Sequence, residues 1–123
     1  MNTKILLTLS AVVMGAMGIA ASFAPHEILH SFGSAATGVL PLLVQLLGAS
    51  LFGLAMANWL ARGSLIGGIY NRPLAVGNLA HFTIGALALL RAPMAEAGNA
   101  VLAVVYAAFA IGFAIALFRS PVQ

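Results

Sequence analysis

Two histidines and a glutamate in the first quarter of the chain form a pattern that is typical of zinc catalysis. The segment His26-Glu27-Ile28-Leu29-His30 matches H-E-x-x-H, in which two imidazoles one helical turn apart bind zinc and the glutamate activates water. Pro25 precedes the motif and suits the first turn of a helix. The motif therefore raises the hypothesis of a zinc-dependent hydrolase that uses His26, Glu27 and His30.

A third zinc ligand is hard to find in this sequence. The candidates are His81, which lies inside an apolar run, and Glu96, which belongs to a different connection. The same segment also fits a short helix at a membrane interface, with one polar and one apolar side. The water-facing residues would then be His26, Glu27 and His30, and the lipid-facing residues Ile28, Leu29 and Phe32. We expect this interfacial helix, without a bound metal or other cofactor.

A second group of residues has the chemistry of a ligand site rather than of a catalyst. Its members are Gln45, Asn58, Trp59, Tyr70, Arg72, Asn78 and His81. Most of them could form a polar cup for an anionic lipid headgroup, with Arg72 as the charge, although caps, turns and interfacial anchors use the same residue types. His81 could carry a proton or bind a ligand, because the ordinary pKa of an imidazole is near neutrality. The alternative is an uncharged imidazole that bonds a neighbouring helix.

The composition of the chain indicates that lipid, rather than water, surrounds most of these side chains. Of 123 residues, 63% are hydrophobic and only 6% are charged, more apolar surface than a small soluble domain can bury. The five lysines and arginines are too few for a nucleic-acid surface, so no nucleic-acid partner is expected. The absence of cysteine excludes disulfides and thiolate catalysis.

Four uncharged runs are each long enough to cross a bilayer as a helix. They occupy residues 5–23, 39–61, 73–90 and 100–118, and a short interfacial helix fits 25–32. The first run also resembles a signal peptide, since one lysine precedes it, but its length favours a full span. Short connections place consecutive spans antiparallel. The sequence thus predicts an all-α, integral membrane four-helix bundle of up-down topology, in which residues 1–123 form a single transmembrane domain.

The positive charges predict the orientation of this bundle, because cytoplasmic flanks retain lysine and arginine. With both termini in the cytoplasm, only Arg91 lies outside. The cytoplasmic cations are then Lys4, Arg62, Arg72 and Arg119.

Small residues at four-residue spacing give every span a face for close helix contact. On the second span these are Ala49, Gly53, Ala57 and Ala61, and on the fourth Ala108, Gly112 and Ala116. The first span has Ala11 with Gly15 and Gly18 with Ser22, and the third has Gly77 and Gly85 around His81. We expect these faces to close the chain's own bundle, and dimerisation is the alternative.

Several motifs in the middle of the chain resemble those of small bacterial four-helix membrane proteins. They are Gln45-Leu46-Leu47-Gly48, Asn58-Trp59, Gly67-Gly68-Ile69-Tyr70-Asn71-Arg72-Pro73 and Gly77-Asn78-Leu79-Ala80-His81-Phe82. The four-helix layout and the Phe23-Ala24-Pro25 exit from the first span resemble the DoxX-like group more loosely. The resemblance implies a multi-pass protein of the bacterial inner membrane, and it brings no catalytic residue.

These observations predict a non-enzymatic protein that acts by helix association. It would be a homo-oligomer or an accessory subunit of a larger membrane complex, with membrane lipids around it. The alternative function is binding or carrying a small amphipathic molecule, such as a lipid, a quinone or an organic solute, between the second and third spans. Zinc-dependent hydrolysis is the third hypothesis.

Overall fold

A computed structural model describes residues 2–92 and 97–119, and its secondary structure is helical. The helices are α1 (Thr3–Phe23), α2 (Pro25–Ser31), α3 (Leu40–Leu60), α4 (Arg72–Arg91) and α5 (Ala97–Phe118). Within these described ranges the one β feature is an isolated bridge between Gly67 and Tyr70, so the all-α prediction is confirmed. Four helices, α1, α3, α4 and α5, are long and apolar enough to cross a membrane.

Local sequence explains where the helices begin. The Oδ1 atom of Asn2 accepts hydrogen bonds from the backbone N–H groups of Lys4 and Ile5, which have no partner within the first turn of α1. In α2, α3 and α4 a proline stands in the first turn, where its missing N–H costs nothing. The starts of these helices can therefore be recognised from single residues in the sequence.

The four long helices form two antiparallel pairs. In the first pair, Gly18 of α1 lies against Gly48 of α3, and Ser10 lies against Asn58. In the second pair, Gly85 of α4 lies against Tyr106 of α5. We call the end of the molecule with Asn2, residues 61–71 and Phe118 the loop end, and the opposite end the α2 end.

The α1–α3 pair is held together by a close approach of two glycines. A Cβ atom added to Gly18 would lie 2.8 Å from the carbonyl oxygen of Gly48, and the reverse contact is equally short. Contacts this close between backbones are the main use of small residues in membrane helices. The four-residue stripe predicted to close the bundle from α3 does not do so, because Ala49, Gly53 and Ala57 are exposed. That prediction was wrong; the stripe lies on the face opposite Gly48.

An aromatic cluster fills the α4–α5 pair. The ring of Phe82 lies 5.0 Å from the rings of Tyr106 and Phe109 and 5.8 Å from Phe113. Phe82 and Phe113 are fully buried, whereas large apolar side chains such as Ile84 and Val104 are exposed. Exposed apolar residues on every long helix suit a lipid surrounding.

The α3–α4 connection is tied to the loop end of α5. The backbone N–H of Gly68 donates a hydrogen bond of 3.0 Å to the carbonyl of Leu117. Gly67 and Gly68 have φ angles of +131° and +58°, which side chains with a Cβ rarely adopt. The Gly67-Gly68 pair thereby satisfies a carbonyl that the last turn of α5 leaves free.

Candidate ligand-binding groove

His81 of α4 and Tyr106 of α5 form a polar pair of side chains within the spans. The Nε2 atom of His81 lies 2.9 Å from the hydroxyl oxygen of Tyr106, within hydrogen-bond distance. Both side chains lie deep along their helices, because His81 is the tenth residue of the 20-residue helix α4, about 15 Å from each end. The sequence alone does not identify the partner of His81; in the structure that partner is Tyr106.

Gly85 makes this pairing possible. A Cβ atom at position 85 would lie 2.5 Å from two carbon atoms of the Tyr106 ring. Only a residue without a side chain lets the ring lie flat enough against α4 for its hydroxyl to reach His81, one turn away. The Phe82 ring also makes an edge contact with the Tyr106 ring, which favours a fixed orientation.

The His81–Tyr106 pair lines an open groove of about 500 Å³. Leu47 of α3 forms one wall, and the other walls come from α4 and α5. The α4 and α5 residues are Ala80, His81, Ile84, Gly85, Ala88, Leu89, Leu102 and Tyr106. Apart from His81 and Tyr106, every lining residue in the described part of the chain is glycine, alanine, leucine or isoleucine. The groove therefore combines one polar pair with apolar walls, the usual character of a small-molecule site.

A second polar cluster joins three helices and is closed to ligands. Asn58 and Asn78 exchange two amide hydrogen bonds of 2.7 Å each, and Asn58 also donates to the Oγ of Ser10 at 2.9 Å. The second N–H of Asn78 goes to the carbonyl of Leu74 at 2.9 Å. All three side chains are fully buried. Every amide N–H is thus used inside the protein, so this cluster acts as packing.

The other predicted ligand residues lie apart from this cluster and from the groove. Gln45 donates to the carbonyl of Ser22 at 3.3 Å, on the α1 side of α3. The guanidinium of Arg62 lies 4.0 Å above the Trp59 ring at the loop end. Tyr70 and Arg72 are exposed there too. Of the seven predicted residues, the groove contains His81 alone, and the structure does not bring the seven together.

The H-E-x-x-H segment forms α2, with its polar residues exposed as expected. Leu29 was predicted to face lipid, and this was wrong: it is 8% exposed and packs into the protein. Glu96 lies outside the described residues. Within the part of the chain that the structure describes, no three histidine or carboxylate side chains are grouped to hold a metal ion.

Two residues of these clusters escaped the sequence analysis. Tyr106 and Ser10 each place a hydroxyl inside an otherwise apolar run, and a buried phenol generally finds a hydrogen-bond partner. That rule was a usable signal for Tyr106. Ser10 gave a weaker one, because a serine in a helix can bond its own backbone, as Ser10 does with the carbonyl of Leu7.

Comparison of the chain with protein-family models, with curated proteins and with solved structures finds no match in any of the three. The resemblance to the DoxX-like group stays an expectation.

Proposed function

We propose that this chain is a four-span protein of the bacterial inner membrane that binds a small lipid-soluble molecule in the groove between α3 and the α4–α5 pair. The observation that carries the proposal is the His81–Tyr106 pair at mid-depth in an apolar groove. Polar side chains inside a membrane span are costly and generally mark a functional site. The volume of about 500 Å³ also falls in the range of small-molecule pockets.

The proposed orientation places the loop end in the cytoplasm. Lys4, Arg62 and Arg72 lie at that end together with Arg119, whereas Arg91 ends α4 at the α2 end. Four cations against one favour a cytoplasmic loop end. The groove, which runs from His81 toward Leu102, then opens in the outer half of the bilayer.

Lipid analysis of purified protein tests the binding proposal. We expect an extract of wild-type protein, taken from native membranes in mild detergent, to contain a compound enriched over the bulk membrane. Ala88→Trp fills the groove and should remove that compound. Ala108→Trp, an equally large change on an exposed face of α5 away from the groove, is the matched control and should retain it. A wild-type extract identical to bulk lipid would contradict the proposal.

Helix association is a second candidate function, supported by the outward face of α3. Nothing lies within 4 Å of a Cβ atom built on Gly53, and Ala49 and Ala57 are exposed beside it. Gly18 of α1 packs against the Gly48 face of α3 within the same chain. The Gly53 face of α3 is therefore a small-residue surface that a second copy or another membrane protein can contact.

Single cysteines test this contact, because the natural chain has none. Ala57→Cys should give a disulfide-linked dimer under mild oxidation, and Ala108→Cys should not. Equal dimer yields from the two variants would contradict a specific α3 contact.

A further inference from the structure

The chemistry of the His81–Tyr106 pair specifies what the groove binds, and this inference rests on the binding function proposed above. We infer that the ligand is an uncharged, lipid-soluble molecule whose oxygen acceptor, a carbonyl in the simplest case, takes one hydrogen bond from this pair. The ligand class follows from the number of donors, from the charge of the walls and from the depth of the pair.

The donor count is the same in both arrangements of the pair. An uncharged imidazole has one N–H and a phenol has one O–H. If the Tyr106 hydroxyl donates to Nε2, the N–H of His81 is on Nδ1 and stays unused. If Nε2 donates instead, the Tyr106 O–H stays unused. Either way the 2.9 Å bond consumes one donor and leaves one.

Within residues 2–92 and 97–119, no acceptor is paired with that remaining donor. Among the described residues, the hydrogen bond to Tyr106 is the only one made by the His81 side chain, and Tyr106 makes no other. Within that part of the chain the Nδ1 atom of His81 has no hydrogen-bond partner and is not fully buried, and the His81 and Tyr106 side chains both line the groove. A donor left unpaired in apolar surroundings is costly, and a ligand oxygen removes that cost.

The walls select an uncharged ligand. Among the described residues that line the groove there is no lysine, arginine, aspartate or glutamate. Along α4 the nearest charges are Arg72 and Arg91, nine and ten residues from His81, which corresponds to about 14 and 15 Å. An anionic group beside His81 would have no cation to pair with in this apolar groove.

The depth of His81 in the bilayer distinguishes the inferred ligand from ordinary membrane lipids. His81 lies about 15 Å from each end of α4, near the middle of the hydrocarbon layer. The ester carbonyls and headgroups of phospholipids lie at the surfaces of that layer. An acceptor oxygen at the level of His81 therefore belongs to a molecule that dissolves within the bilayer core.

Three probes of equal chain length test this inference on the full chain in detergent: a ketone with a central, isotope-labelled carbonyl, the corresponding alkane, and the corresponding carboxylic acid. We expect the ketone to bind roughly three- to tenfold tighter than the alkane, the value of one net hydrogen bond. Its carbonyl stretching band should move to lower frequency on binding. The carboxylate should bind no better than the alkane.

Variants of the pair give a pattern that a purely structural role would not produce. Tyr106→Phe and His81→Phe each retain one donor, so each single variant should keep part of the ketone preference. The double variant has no donor and should bind ketone and alkane equally, with the alkane affinity as the control for an intact groove. An unshifted carbonyl band, a double variant that still prefers the ketone, or a carboxylate that binds best through Arg91 would each overturn the inference. Failure of all three probes to bind would instead count against the groove as a binding site.

Discussion

The side-chain amides of Asn58 and Asn78 face each other across α3 and α4 and exchange two hydrogen bonds of 2.7 Å. Because Ser10 joins them, this cluster connects the α1–α3 pair to the α4–α5 pair. It lies toward the loop end, whereas the groove begins beside His81 and extends toward the α2 end. The amide contact therefore fixes one end of the space that the groove occupies.

We expect Asn58→Leu to lower the free energy of unfolding by about 1–2 kcal/mol, because it leaves a buried amide of Asn78 without its partner. The double variant Asn58→Leu/Asn78→Leu should lower the free energy of unfolding by less than the sum of the two single variants. It removes both amides, so neither is left buried without a partner. Unfolding equilibria in mixed micelles measure all three variants. Additive costs would show that the two amides act independently.

Gly18→Ala should destabilise the α1–α3 pair by about 1–3 kcal/mol, because the added methyl group meets the backbone of Gly48 at 2.8 Å. The backbone cannot move aside as the end of a side chain can. Gly53→Ala is the matched control: it makes the same change on α3 where no atom lies within 4 Å. Thermal unfolding in detergent should separate the two variants, and equal melting temperatures would refute the close approach.

Gly85→Ala should break the His81–Tyr106 hydrogen bond. The added methyl group would lie 2.5 Å from two ring carbons of Tyr106, so the ring must move away from α4. The phenol band in ultraviolet resonance Raman spectra, which responds to hydrogen bonding of the hydroxyl, measures this loss. The control is Gly77→Ala, one turn on the other side of His81, where a Cβ atom meets nothing within 4 Å. If both variants leave the Tyr106 band at its wild-type position, Gly85 does not hold the pair in place.

The orientation can be tested with single cysteines, since the natural chain has none. Ser64 at the loop end and Thr37 at the α2 end are both exposed. In intact cells, a membrane-impermeant maleimide should label Thr37→Cys but label Ser64→Cys only after the membrane is opened. The opposite pattern would invert the proposed orientation and place the groove in the inner half of the bilayer.

The sequence by itself determined the helices. Long uncharged runs satisfy their backbone groups only as helices in lipid, so α1, α3, α4 and α5 follow from composition and length. Prolines in the first turns place the starts of α2, α3 and α4 within a residue or two. The inward direction of Asn58 and Asn78 also follows from local chemistry, because an exposed amide in hydrocarbon is costly.

Only the tertiary structure decided which faces and which side chains meet. Almost every face of these helices is apolar, so periodicity cannot distinguish the Gly48 side of α3 from the Gly53 side, and the prediction selected the wrong one. Helix pairing placed Tyr106 beside His81, and the missing side chain of Gly85 brought their polar atoms to 2.9 Å. Such contacts depend on the rotation of one helix against another, which close packing sets and the sequence of a single helix does not contain.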